Sequence, residues 1–182
     1  MKSRICISIA LASVALFMVG LRSENSTAQS TRFSTDDYVQ IQELYARFNQ
    51  ALDTAQPDAY VETWTDDGEF VGGRGPGRGA EARPPIKGRA ALWDMAHRAG
   101  IGTRHMVANL VVTPKPGGAT ASAYLLLLNA SNSPPTITET AIYQDTLVKT
   151  AQGWRFKRRV NWRDDDDISP FKPKPPGPPP PQ

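Results

Sequence analysis

The spacing of apolar residues changes once along the chain, from a helical period to the alternation of extended strands. After the helix-capping sequence at 34–37, apolar residues recur at helical spacing at Ile41, Leu44, Tyr45, Phe48 and Leu52. This pattern predicts an amphipathic helix over about 36–53. From Thr103 onward, turn sequences separate four strand-like segments, at 103–113, 119–129, 137–150 and 154–163. Helices followed by antiparallel strands are typical of an α+β domain.

Shorter segments between these two halves complete the predicted order. Residues 59–64 suggest a second short helix before a turn at 66–68, and 89–99 suggest a third helix. A strand beginning at Glu69 runs into a glycine-rich loop at 72–79. The sequence therefore predicts a cone-shaped α+β barrel, in which N-terminal helices pack on a strongly curved, mostly antiparallel sheet that encloses a pocket.

The N-terminus has the layout of a signal peptide. Two basic residues precede Ile5–Leu21, which is 17 residues without a charge, and Ser26-x-Ala28 is a small-x-small site. Cleavage after Ala28 predicts an exported protein, periplasmic or secreted, with no stable membrane span after processing. An uncleaved membrane anchor is the alternative. N-terminal sequencing separates the two, because the mature protein should begin at Gln29.

The C-terminus is a segment of low complexity. Residues 169–182 contain 8 prolines in 14 residues, a composition that supports polyproline II but no hydrogen-bonded element. The predicted organisation is a signal peptide at 1–28, one domain at 29–168 and a disordered proline-rich tail at 169–182. A domain of this size is large enough to hold an internal pocket.

Charge and composition exclude several classes of function. The full chain has 21 basic and 18 acidic residues. The leader contains three of the basic residues and one of the acidic residues, so the mature protein has 18 basic and 17 acidic residues and a net charge of +1. A protein so balanced has no global attraction to nucleic acid or anionic lipid. Cys6 is the only cysteine and there are only two histidines, so no thiolate cluster or histidine pair is available for zinc. We expect neither a metal nor another cofactor.

His105 and Asp53 are candidates for acid–base chemistry. Alternation along the predicted strand places His105 on one face with Val107, Asn109 and Val111. Asp53 falls near the C-terminal end of the first helix, where the helix dipole disfavours a carboxylate. A carboxylate that accepts a hydrogen bond from Nδ1–H of a histidine fixes its tautomer and leaves Nε2 as a base. From the residues alone, a histidine with a purely structural role in the core remains the alternative.

Five segments resemble, in order, the motifs of SnoaL-like domains in the nuclear-transport-factor-2-like superfamily. They are Ile41–Asp53, Trp64–Phe70, Ile86–Leu92, His105–Leu110 and Gly153–Arg159. The resemblance spans about 36–163 and is similar in particular to the branch of hexachlorocyclohexane dehydrochlorinase, scytalone dehydratase and bile-acid dehydratases. In that branch an aspartate ending the first helix pairs with a histidine on the sheet, and an arginine late in the last strand serves the leaving group or the pocket. These roles fall on Asp53, His105 and Arg159.

The sequence departs from this pattern in two ways. Phe48 occupies the position where dehydratases of the branch often carry a tyrosine. Simple alternation also places Arg159 on the face opposite Trp154 and Phe156, so a bulge or twist must decide whether Arg158 or Arg159 points inward.

These residues together suggest a cofactor-independent lyase or isomerase, dehydratase-like or dehydrohalogenase-like, with His105 as the base. The substrate would be a small, cyclic, hydrophobic molecule. The candidate pocket residues are Phe48, Tyr60, Trp64, Trp93, Val107, Asn109, Tyr124 and Tyr143. Two alternatives are a non-catalytic exported ligand-binding or scaffolding protein and a polyketide-cyclase-like enzyme in which Asp53 itself is the base. The resemblance also implies a homo-oligomer, a dimer or a trimer.

Overall fold

The helices and the longer strands follow the predicted order, to which the structure adds a short strand before the third helix. The structure, a computed structural model, describes residues 33–72, 84–99 and 101–164. Its elements are α1 (Thr35–Asp53), α2 (Pro57–Val61), β1 (Trp64–Val71), β2 (Ile86–Lys87), α3 (Arg89–His97), β3 (Thr103–Lys115), β4 (Gly118–Asn129), β5 (Thr136–Thr150) and β6 (Gly153–Arg163). The leader, the proline-rich tail and most of the glycine-rich loop lie outside the described residues, so the expectations about them stay predictions.

The strands form one six-stranded sheet in the order β2-β1-β6-β5-β4-β3. Every neighbouring pair is antiparallel except β1 and β6, which are parallel. The predicted α+β class, with helices on a mostly antiparallel sheet, is confirmed. The sheet is open rather than a closed barrel, because the short strand β2 and the long strand β3 form its two edges.

The second helix and the first strand begin earlier than the sequence suggests. The helix covers Pro57–Val61, and proline is well suited to the first turn because its fixed φ and missing N–H cost nothing there. Trp64 already belongs to β1, which includes the turn predicted at 66–68, and the register of its pairing with β6 shifts between Trp64 and Glu69. Gly68 permits this, since a Cβ at that position would lie 2.8 Å from the Trp64 ring.

Helix α1 packs its apolar stripe on the inner face of the sheet. The buried stripe includes Ile41, Leu44, Tyr45 and Phe48, as the helical period predicts. Opposite it, three successive residues on the inner face of β4 have small side chains, and Ala119, Ala121 and Ala123 are all buried. Small residues at these positions let the helix approach the sheet closely.

The outer face of the sheet exposes several large apolar side chains. They are Met106, Val111, Tyr124 and Ile137, each at least half exposed. The homo-oligomer expected from the resemblance stays a prediction. Within the described ranges, no helix is both long and apolar enough to span a membrane.

The N-terminus of α1 is tied to the sheet through the carboxylate of Asp37. Its Oδ2 accepts hydrogen bonds from the backbone N–H and the hydroxyl of Ser34, at 3.0 and 2.9 Å. Its Oδ1 accepts from Lys149 Nζ at 2.6 Å and from Trp154 Nε1 at 2.9 Å. Burial raises the pKa of Asp37, but these hydrogen bonds outweigh burial and hold the pKa well below its ordinary value.

We expect Asp37→Asn to lower the free energy of unfolding at pH 7 by about 1–3 kcal/mol, because buried charge-assisted hydrogen bonds are lost. A pKa that is lower in the folded state gives stability that is present above the unfolded pKa of about 3.9 and is lost as the pH falls. Urea unfolding should therefore show a smaller difference in the free energy of unfolding between wild type and Asp37→Asn at pH 3 than at pH 7. Asp36→Asn is the matched control, since the exposed Asp36 side chain accepts a hydrogen bond from Gln40 alone among the described residues. Equal effects of both substitutions would contradict the prediction.

Candidate active site

The side chains of Asp53 and His105 are in direct contact. His105 Nδ1 lies 2.5 Å from Asp53 Oδ1, and the backbone N–H of His105 donates to Asp53 Oδ2 at 3.0 Å. A carboxylate can only accept hydrogen bonds, so Nδ1 carries the proton and Nε2 is left as a base. Both carboxylate oxygens are therefore occupied by the same residue, which fixes the position and the tautomer of the imidazole.

The end of α1 determines where Asp53 points. Asp53 is the last residue of the helix, and the Thr54 hydroxyl closes the final turn by donating to the Gln50 carbonyl at 2.6 Å. Ala55 then adopts a left-handed φ of +53°, which turns the chain away. The two N–H groups of His105 offset the unfavourable helix dipole at this carboxylate.

The imidazole is nearly enclosed but still accessible. The side chain of Asp53 is 8% exposed and that of His105 is 13% exposed. Within the described part of the chain, no hydrogen bond reaches Nε2. A base with a fixed tautomer and an available lone pair is suited to taking a proton from a bound molecule.

The tautomer can be tested directly by nitrogen-15 NMR. We expect Nδ1 of His105 to be protonated and Nε2 unprotonated in the neutral imidazole. Asp53→Ala should shift the population toward the Nε2–H form, because the acceptor that holds Nδ1–H is gone. His97 is an internal control, since it is exposed and stacks only on Trp93. An unchanged tautomer population in Asp53→Ala would contradict the assigned contact.

A bulge in β6 turns Arg159 toward the inside of the protein. Phe156 pairs with Leu147 on β5, but the next pair is Arg158 with Thr146, so Lys157 is an extra residue. Such a bulge reverses the alternation of the side chains beyond it. Arg159 is consequently fully buried, whereas Arg158 is exposed and pairs with Glu69 at 3.3 Å. Simple alternation left open whether Arg158 or Arg159 points inward, and the bulge places Arg159 on the inner face.

Arg159 forms a buried ion pair with Asp145. Its Nε and Nη2 donate to the two carboxylate oxygens at 2.8 Å each, and the Tyr45 hydroxyl donates to the same carboxylate. Burial lowers the pKa of Arg159, but the charge of Asp145 outweighs this and raises it, so the guanidinium stays charged. Burial and the Asp145 carboxylate raise the pKa of Tyr45.

Sequence reasoning missed Asp145, although a signal for it exists. Asp145 lies two residues from Tyr143 and Leu147, which alternation places on the buried face of β5. A carboxylate on an otherwise apolar face indicates a buried partner. Asn49 and Asn161 were also missed; both are buried, and the Oδ1 atom of each has no partner among the described residues.

Four of the predicted pocket residues belong to the aromatic cluster around the Arg159 guanidinium. Two of them contact the guanidinium, and the other two pack against one of these. Its Cζ lies 4.3 Å from the Phe48 ring centre and 3.8 Å from that of Tyr143. Tyr60 and Trp64 pack against Phe48, with ring centres 4.9 and 5.8 Å away. Val107 packs against an adjoining cluster of buried residues that consists of Leu125, Ala141 and Tyr143.

The other predicted pocket residues lie elsewhere. Tyr124 is on the outer face of β4, because its neighbours Ala123 and Leu125 are the buried ones. Asn109 has a left-handed φ of +54° in a bulge of β3, which exposes it and places Val111 outside too. Trp93 lies on α3, where its indole N–H donates to Asp58. The prediction that His105, Asn109 and Val111 share a face was therefore wrong beyond Val107.

The described residues contain no group of three or more histidine, cysteine, aspartate or glutamate side chains that could hold a metal ion. The buried aspartates are already engaged, Asp53 with His105 and Asp145 with Arg159. The described residues thus hold a hydrogen-bonded aspartate–histidine pair and a buried ion pair within an aromatic cluster.

Comparison with known proteins gives one family and many similar structures. The sequence model described as "SnoaL-like domain" matches residues 34–160. No match was found among curated proteins.

Three solved structures illustrate the similarity. A protein of unknown function from Mycobacterium tuberculosis is 25% identical with a TM-score of 0.61, covering 71% of this chain and 72% of its own. An NTF2-like protein with a cystatin-like fold from Novosphingobium aromaticivorans is 28% identical with a TM-score of 0.61, covering 71% and 83%. A Catenulispora acidiphila protein in complex with S-DNPA is 27% identical with a TM-score of 0.59, covering 72% and 96%.

Proposed function

The chain belongs to the SnoaL-like domain family, and from this premise we propose that it is a cofactor-independent lyase or isomerase acting on small, cyclic, hydrophobic molecules. The observation that carries the proposal is the contact of Asp53 with both N–H groups of His105. This contact prepares Nε2 as a base. The finer assignment, a dehydratase-like or dehydrohalogenase-like reaction, rests on the residues that resemble those enzymes.

In the proposed reaction, Nε2 of His105 removes a proton from a carbon of the substrate. The electron pair left on carbon either expels a leaving group from the neighbouring carbon or is delocalised and reprotonated elsewhere. Asp53 stabilises the imidazolium that forms, because its negative charge lies 2.5 Å from Nδ1. The imidazolium then gives the proton to a leaving hydroxyl or to another carbon of the isomerised product, and to solvent where the leaving group is a halide.

Arg159 contributes less charge to this reaction than the sequence alone suggests. Two of its three nitrogens are bonded to Asp145, which neutralises the pair. Only Nη1 has no hydrogen-bond partner among the described residues. In the proposal Arg159 therefore acts as a hydrogen-bond donor through Nη1.

The geometry favours this reading over a cyclase-like reaction with Asp53 as the base. Both oxygens of Asp53 accept hydrogen bonds from His105, so neither is directed at a substrate. A non-catalytic binding protein of the same fold remains the competing proposal, because fold does not determine activity.

Proton abstraction can be measured without knowing the natural substrate. 2-Tetralone is an apolar bicyclic ketone whose protons beside the carbonyl are weakly acidic. We expect the protein to accelerate the exchange of these protons for deuterium in D₂O, followed by proton NMR. A rate equal to that of buffer containing an equal concentration of free imidazole would count against the proposed activity and favour the binding protein.

A further inference from the structure

A groove opens where strand β6 ends beside β5. It has a volume of about 420 Å³ and is lined by residues 137–140 of β5 and by Arg163 and Asp164 at the end of β6. A groove of this volume can hold part of a small organic molecule. The proposed function assigns no role to the residues that line it.

Two charged side chains in the wall of this groove form an ion pair. Arg163 Nη1 lies 3.0 Å from Glu139 Oε2, and the two side chains are 23% and 12% exposed. The amide of Asn161 donates from Nδ2 to Glu139 Oε1 at 2.8 Å. Each oxygen of Glu139 thus has one of these partners, whereas a carboxylate oxygen can accept two hydrogen bonds. Glu139 can therefore accept a further hydrogen bond from a molecule in the groove.

The Asn161 amide places a second acceptor beside this carboxylate. Asn161 is 8% exposed, and its Oδ1 has no hydrogen-bond partner among the described residues. Because the same amide group is bonded to Glu139 through Nδ2, Oδ1 lies close to that carboxylate. Buried acceptors without a donor are uncommon in native proteins. Two neighbouring acceptors favour a ligand that donates hydrogen bonds.

The charges around the groove restrict the ligand further. Arg163 compensates the charge of Glu139, and the exposed Asp164 adds a negative charge at the rim. An anion in the groove would therefore be repelled. A hydroxyl group donates a hydrogen bond without adding charge, and its bond to a carboxylate is stronger than a bond between two neutral groups.

The register of the sheet places Glu139 on the same face as His105. Leu127 on β4 pairs with His105 on one side and with Glu139 on the other, so the three residues form a row across the inner face. The Cα atoms of His105 and Glu139 are separated by two inter-strand spacings, about 10 Å. A fused two-ring molecule with a substituent at its far end matches this separation.

We infer that Glu139, held by Asn161 and Arg163, binds a hydroxyl group at the end of the substrate opposite to the carbon that His105 deprotonates. This inference rests on the proposed function for the position of the reacting carbon, and it adds that the substrate carries a remote hydroxyl. Glu139 is then a specificity-determining residue, and Asn161 and Arg163 are positioning residues.

The test compares two probes that react at the same carbon, 6-hydroxy-2-tetralone and 6-methoxy-2-tetralone. Their substituents have similar electronic effects and lie across both rings from that carbon, but only the hydroxyl can donate a hydrogen bond. Isothermal titration calorimetry should show that the hydroxy probe binds roughly 10- to 100-fold more tightly, as expected for one hydrogen bond to a charged acceptor. Equal affinities, tighter binding of the methoxy probe, or no binding of either would overturn the inference.

Glu139→Gln removes the charge of the acceptor and keeps its shape. The preference for the hydroxy probe should fall about three- to tenfold, because a neutral acceptor forms a weaker hydrogen bond. Glu69→Gln is the matched control, since Glu69 belongs to the ion pair with exposed Arg158 on another part of the sheet. An equal fall of the preference in Glu69→Gln would overturn the inference.

The double variant Glu139→Leu/Arg163→Leu covers the case in which Glu139→Gln fails to fold with Arg163 left unpaired. It replaces the whole ion pair by apolar side chains, a change that proteins often tolerate. The preference for the hydroxy probe should be lost in this variant. A preference that persists would show that another residue accepts the hydrogen bond and would overturn the inference.

The ratio of the two affinities also separates binding from a structural role of the ion pair. If the pair only stabilised the end of the sheet, its loss would change the affinity for both probes alike. Asn161→Leu should lower the ratio too, because Glu139 Oε1 loses the donor that holds it. Affinities that fall alike for both probes in all of these variants would overturn the inference.

The same probes distinguish the inference from the proposed activity. His105→Gln should abolish deuterium exchange but keep the preference for the hydroxy probe, because the base does not contact the remote hydroxyl. If wild type shows the preference without accelerating exchange, the proposed activity fails and the hydroxyl site stands. If exchange is accelerated without the preference, the reverse holds.

Discussion

Asp145→Asn is expected to lower the free energy of unfolding by about 3–5 kcal/mol, the largest stability effect among the substitutions considered. Arg159 is fully buried and its charge is balanced by this carboxylate alone among its hydrogen-bond partners. Without Asp145, a buried guanidinium is left uncompensated and the Tyr45 hydroxyl loses its charged acceptor. Urea unfolding followed by tryptophan fluorescence measures the loss.

Arg159→Met should be similarly destabilising, since it leaves the Asp145 carboxylate unpaired. The double variant Asp145→Leu/Arg159→Met should recover much of the loss, because apolar replacement of a whole buried pair is often tolerated. Arg158→Met is the matched control: its partner Glu69 is at the surface, and such pairs contribute about 0–1 kcal/mol. If Arg158→Met lowered the free energy of unfolding as much as Arg159→Met does, the assignment of Arg159 to the inner face of β6 would be wrong.

His105→Gln should reduce the deuterium exchange of 2-tetralone by roughly 10²- to 10⁴-fold, the usual contribution of a general base. Glutamine keeps the backbone N–H that donates to Asp53 Oδ2, so the end of α1 stays anchored. The protein should therefore fold with nearly unchanged stability while it loses turnover. Proton NMR in D₂O gives the exchange rate, and circular dichroism gives the fold.

His97→Gln is the control for this variant, because it removes the only other histidine from an exposed site on α3. Its exchange rate should equal that of wild type. If His105→Gln retained the wild-type rate, another residue would be the base and the proposed role of His105 would be wrong.

The order of the elements was accessible from the sequence because it follows from periodicity within single elements. Periodicity also indicates which faces carry Asp53, His105 and Val107, whereas the pairing of Asp53 with His105 was expected from the resemblance to SnoaL-like domains. Such regularities depend only on the local backbone geometry. The ends of α1 were also readable, since the Ser34 capping box is a local interaction.

Features that depend on pairing between strands were not accessible. The turn predicted at 66–68 is part of β1, at the place where the register of the parallel pairing with β6 shifts between Trp64 and Glu69. The bulge at Asn109 moved Val111 to the outer face, and only the pairing of β3 with β4 reveals it. The partner of Arg159 was unknown for the same reason: Asp145 lies 14 residues away along the chain and directly across from it in the sheet.

The extra residue Lys157 has a consequence for how relatives of this protein are aligned. Phe156 precedes it and faces inward. Two consecutive arginines follow it, and only the second of them, Arg159, faces inward. A homologue that lacks this one residue would still expose the first arginine and bury the second, but each would stand one position closer to the phenylalanine. Matching the two sequences column by column would then equate a surface residue with a buried one. The gap in this strand must be placed before the arginines of two family members are compared.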